Sequence, residues 1–146
     1  MNNYILACLI VLTALTCLGC SDSNPFPVAK VEGIVMCDGQ PVPDVLVQFD
    51  PVRTGSSALV GKRSQAVTNG DGQFVLTTYN RNDGAIVGKH EVRVAATQTT
   101  AKDCPAALSL YDTVTEVEVE KGKKNIFTID VPVRDRRVRL AIPDGD

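Results

Sequence analysis

A chain of 146 residues is the length of one domain plus a short extension, and a domain of that size buries roughly two-thirds of its unfolded surface without needing a metal or a disulfide to fold. A formal net charge of -2 removes any electrostatic reason to expect nucleic acid as a partner. With no tryptophan and 5% aromatic residues, few rings are left for a sugar-stacking platform.

The chain opens on an uncharged stretch, Tyr4 to Gly19, that ends in Cys17-Leu18-Gly19-Cys20 and passes into Ser21, Asp22, Ser23, Asn24 and Pro25. A redox pair at Cys17 and Cys20 would need a strand before it and a helix after it, and this polar, proline-bearing sequence cannot propagate a helix. Ser21 stands where a haem attachment needs histidine, and Cys8, Cys37 and Cys104 fall at no zinc-ligand spacing. The run is also shorter than the roughly 20 apolar residues that a bilayer core asks for, so it reads as the apolar region of a secretion signal. Leu18-Gly19-Cys20 resembles the lipobox of bacterial lipoproteins. That resemblance implies a signal peptide over 1–19, cleavage between Gly19 and Cys20, and a lipid on the Cys20 sulfur that holds the protein at an envelope membrane, facing the periplasm or the exterior. An uncleaved signal anchor and ordinary secretion are the alternatives. Residues 20–28 then form the lipidated tether, small and polar with prolines.

Beyond the tether the sequence alternates. Val31, Gly33 and Val35 share one side of a run, and Val45, Val47 and Phe49 share one side of the next, with the turn Asp38-Gly39-Gln40-Pro41 between them. Ser64–Thr68 and Gln73–Thr78 flank Asn69-Gly70-Asp71-Gly72, a hairpin signal because these residues tolerate positive φ. Lys89–Ala95 places His90, Val92 and Val94 on one face, and Thr115–Glu120 and Phe127–Val131 alternate in turn around Lys121-Gly122-Lys123. The fold expected is all-β, an antiparallel sandwich of about seven strands.

The order of these runs resembles the carboxypeptidase-regulatory-like domain: Val31–Val35, the turn and strand of Asp38–Phe49, Thr68-Asn69-Gly70-Asp71-Gly72-Gln73-Phe74, then Gly84–Val94 with His90 in place of a tyrosine. Short envelope lipoproteins of one such domain are similar in Leu110-Tyr111-Asp112-Thr113 and in a last hairpin at Gly122–Phe127. The resemblance implies a transthyretin-like sandwich over 29–132, followed by a basic edge strand or tail over 133–146. It also implies a non-catalytic interaction or structural module. A carbohydrate-binding module is the alternative, resting on Tyr79 and Tyr111.

Catalysis lacks its parts. His90 is the one histidine and sits on the inward face, where it substitutes for a core aromatic rather than serving a nucleophile. The several histidines and C-terminal tetrad of transthyretin-like ureide hydrolases are missing, so neither a catalytic residue nor a cofactor or metal site is assigned. Glu116, Glu118 and Glu120 share a solvated face; Asn69, Asp71 and Gln73 begin like a calcium loop but end as a turn; Lys30, Glu91 and Asn125 nominally match an isopeptide triad whose acid and lysine face outward. Cys37 and Cys104 are a candidate disulfide that would contribute roughly 4 kcal/mol if bridged, against the reading of two buried thiols. Thr97–Asp112 reads as a loop covering a sheet edge. The tail carries Arg134, Arg136, Arg137 and Arg139, with Val138, Leu140 and Ile142 alternating against Arg137, Arg139 and Ala141; it forms a charged edge strand, or meets an anionic lipid or cell-wall polymer surface.

Overall fold

The computed structural model describes residues 26–55, 60–97 and 108–133. Among these residues there is no helix, and ten strands form three sheets. One four-stranded sheet is built on β2 (Val31–Cys37), with β10 (Asn125–Asp130) on one edge. Two short strands, β6 (Gln73–Val75) and β3 (Gln40–Pro41), follow one another along its other edge. The second sheet has the order β5 (Ser64–Val67), β4 (Val45–Pro51), β8 (Gly88–Ala96), β9 (Thr115–Val119) and is antiparallel throughout. A two-stranded patch pairs β1 (Val28–Ala29) with β7 (Ala85–Ile86) just before β2.

The two large sheets have a sandwich character because their alternating residues meet in one apolar core. Val31, Val35, Phe74 and Ile129 come from the first sheet, and Val45, Val47, Phe49, Val92, Val94 and Val119 from the second. Each such side chain stabilises the fold by about 1.5–3 kcal/mol when fully removed from water. Phe49 holds the middle: its ring lies 6.2 Å from that of Phe74 and 5.9 Å from that of Phe127, both across the layer. Gly33 makes room for this. A Cβ there would stand 2.6 Å from Phe74 Cζ and 2.2 Å from the Phe127 carbonyl oxygen, so only hydrogen fits between them.

Seven of the ten strands fall where alternation places them, and the other three are two residues long. Three features differ from expectation. First, β10 runs parallel to β2, in register from Asn125 opposite Val31 to Asp130 opposite Met36, so the molecule is not wholly antiparallel. Second, β9 and β10 form no hairpin, because the turn between them carries the chain from one sheet to the other. Alternation encodes which face is buried but neither the partner nor its direction. Third, the arms flanking Asn69–Gly72 are in hairpin register, with Gln65 opposite Thr77 and Asn69 N–H donating to the Gln73 carbonyl at 2.9 Å, yet they separate between those points. There β5 joins β4 and β6 joins β2, so one split hairpin closes the sandwich along an edge.

Candidate functional site

The most elaborately bonded part of the described residues is the end where the chain enters β1. The Pro27 carbonyl accepts from Val87 N–H at 2.9 Å and Val28 pairs with Ile86, which fixes the chain entry against β7. Behind it lies a buried hydroxyl chain, with Ser64 Oγ 2.7 Å from Thr78 Oγ1 and Thr78 Oγ1 donating to the Gly84 carbonyl at 2.6 Å. Asp83 closes the adjoining turn by accepting from the amides of Thr78, Tyr79 and Asn80 at 2.7, 2.9 and 2.8 Å. Burial alone would push its carboxyl up, but the three amides outweigh that and hold it below the ordinary value, so the group stays ionised. These bonds consume the local hydroxyls and the carboxylate in holding backbone. None is left as an activated nucleophile.

His90 is completely buried beside Phe49, with ring centroids 5.8 Å apart, as the shared parity with Val92 and Val94 requires. Its Nε2 lies 2.7 Å from the Ile86 carbonyl oxygen, to which it donates as the protonated nitrogen, and Nδ1 has no hydrogen-bond partner. Burial lowers its pKa from 6.5, overriding the backbone of Ile86 and Phe49 and the Asp50 charge, which favour the cation. Folded and unfolded chains are therefore both neutral here above pH 6.5, while below it the unfolded chain takes a proton that the folded core refuses. Stability is expected to fall as pH drops from 6.5 toward the lower folded value, by at most about 1.4 kcal/mol per pH unit. Urea unfolding at pH 7.5 and 5.5 measures this. His90→Phe should flatten the slope, and an unchanged slope in that variant would remove the histidine as its cause.

The remaining residues singled out by sequence fall as follows. Glu116, Glu118 and Glu120 are exposed; Glu118 lies opposite Lys89, and Glu120 pairs with Lys123 at 2.6 Å. Among the described residues no three histidine, cysteine or acidic side chains are grouped to hold a metal ion. Asn69 Oδ1 accepts from Asp71 and Gln73 N–H at 3.0 and 2.8 Å, which makes that stretch a self-bonded turn. The isopeptide constellation is not assembled. Glu91 binds Arg93 in the second sheet, whereas the Asn125 amide donates to the Lys30, Glu120 and Lys123 carbonyls and accepts from Glu120 N–H.

Asn125 is one of the residues that alternation missed: it is buried and pins the β9–β10 turn against the start of β2, and its only signal in sequence was a polar residue after a Lys-Gly-Lys-Lys turn. Tyr111 is 95% exposed, while Tyr79 is half-buried with Lys62 Nζ 5.8 Å over its ring, and the two lie toward opposite ends of the strands. In the covering loop, Leu108 packs on the core and Ser109 bridges Val94, extending the second sheet's edge. Cys37 is buried. Its expected partner Cys104, the expected lipid site Cys20 and the tail arginines Arg134, Arg136, Arg137 and Arg139 lie outside the described residues.

No family model matches the chain, and no curated protein matches it. Among solved structures, it is similar to the dioxygenase domain of a dioxygenase carbohydrate-binding protein fusion from the cellulolytic bacterium Streptomyces sp. SirexAA-E. The identity is 20% and the TM-score 0.38, over 79% of this chain and 86% of that one. A likeness of that size carries no argument about fold or activity here.

Proposed function

We propose that this chain is an envelope lipoprotein in which a non-catalytic, transthyretin-like interaction module hangs from a membrane by lipid on Cys20. The observation that carries the reading is the step from an uncharged leader through Leu18-Gly19-Cys20 into a short polar tether, with a self-contained sheet domain starting immediately after it. In this reading the tether holds the domain just off the lipid surface. The domain contributes shape and backbone rather than chemistry: its histidine is a core residue, its threonines and Asp83 are bound to backbone, and its core is filled by valine and phenylalanine. The carbohydrate alternative is weaker, since stacking on sugar asks for neighbouring exposed rings and Tyr111 stands apart from Tyr79.

Cys20→Ser tests the anchor directly. The expected outcome is loss of labelled fatty-acid incorporation together with failure to remove the leader, read as a heavier chain by intact-mass spectrometry. A native polypeptide that starts at Met1 with the Cys20 thiol alkylatable would end this proposal.

A further inference from the structure

The strand registers sort the charges of the domain to its two ends. Asn125 Nδ2 donates to the Lys30 carbonyl at 3.2 Å, which places the Lys121, Lys123 and Lys124 turn beside the point where the tether becomes β2. On the second sheet, Lys89 carbonyl accepts from Val52 N–H at 2.8 Å and Ser64 pairs with Phe49. Arg53, Lys62 and Lys89 therefore occupy that same end. Apart from Arg93, which is bound to Asp50 and Glu91 in mid-strand, every described lysine and arginine falls there.

The acids at this end are mostly occupied, Asp50 by Arg63 and Arg93, Glu91 by Arg93, Asp83 by three amides, Glu120 by Lys123, with Glu118 opposite Lys89, Glu116 opposite Glu91 and Glu32 near the start of β2. Cations remain in excess. At the other end stand Asp38 in the β2–β3 turn, Asp44, Asp71 in the split-hairpin turn, and Asp130 opposite Met36, all exposed. The cationic end also presents apolar groups: half-buried Phe26 packs with buried Ile86 around Gly61, and neighbouring Val60 is 36% exposed.

We infer that this end is a docking face for the anionic lipid surface to which the tether leads, so that the domain stands on the membrane with its acidic turns pointing away. The inference rests on the lipid-anchor reading for its geometry, because the tether enters at Phe26, beside Gly61 and Ile86 at the cationic end, and a chain fixed there meets headgroups with this face first. A lysine near an anionic leaflet contributes an attraction that changes occupancy about fivefold. Several together set orientation even though each is weak.

The test uses the native, lipidated protein in vesicles of phosphatidylcholine alone or with phosphatidylglycerol, and reads the rate of lysine acylation by a water-soluble reagent, residue by residue, by mass spectrometry. Lys62, Lys89 and Lys121 are expected to react about fivefold more slowly in the anionic vesicles, with the difference lost in high salt. In Lys121→Glu/Lys123→Glu/Lys124→Glu, whose substitutions fall on exposed turn residues, protection at Lys62 and Lys89 should disappear. Equal reactivity in both vesicle types overturns the inference. So does protection that survives this variant but is lost when Arg134, Arg136, Arg137 and Arg139 become glutamine, which would assign the contact to the tail. Fatty-acid labelling with no lysine protection removes the docking face and keeps the anchor; salt-sensitive protection in anionic vesicles without labelling does the reverse.

Discussion

Gly84→Ala should unfold much of the tether end, lowering stability by at least about 3 kcal/mol. Two independent effects add. Gly84 has φ +98°, a conformation that strains any residue carrying a Cβ, and a Cβ built there would stand 1.9 Å from the Ala29 carbonyl oxygen and 2.7 Å from Lys30 Cα. Both neighbours are backbone and cannot rotate away. Relieving the contact means separating β1 from β7 and disturbing the hydrogen bonds of Gly84 with Leu76 and Thr78. Gly39 supplies the control, since it has φ +74° with open space around it, so Gly39→Ala carries the strain without the collision. Urea midpoints should differ by more than about 1.5 kcal/mol in free energy between the two variants. Equal midpoints would mean that the close approach to Ala29 is not what the glycine serves.

Phe49→Ala is expected to destabilise by about 3–5 kcal/mol, a large share of the total stability of a domain this size. The ring is completely buried and touches Phe74, Phe127 and His90, so truncation opens a void between the sheets that none of the three can fill without leaving its own strand. Phe49→Leu keeps part of the volume and should cost clearly less. Denaturation monitored by far-UV circular dichroism checks the order, and near-UV signal from the tyrosines reports whether packing loosens before the sheets do. If alanine and leucine give the same loss, ring packing across the layer is not the source of the effect.

Alternation revealed the buried faces because it depends only on which side of a strand meets water. Val31 and Val35, Val45, Val47 and Phe49, and His90, Val92 and Val94 all lie inward as parity requires, and even the polar His90 follows. It could not reveal that Thr68, bonded to Val42 and Val45, or Thr78, bonded to Gly84, would be buried, since a threonine reads the same in an exposed strand. The same holds for Asn125, whose amide is satisfied by carbonyls from distant and adjacent segments that no spacing rule connects.

By itself, then, the amino-acid order determined an all-β domain, its inward residues and most of its turns, for these follow from local periodicity and from the φ tolerance of glycine and asparagine. Tertiary structure alone decided that β10 lies parallel to β2, that the Asn69–Gly72 hairpin splits between sheets, and that the lysines gather at the end where the tether enters. Those outcomes depend on which strand edges find one another, and that is set by burial summed over the whole core rather than by any stretch of a few residues.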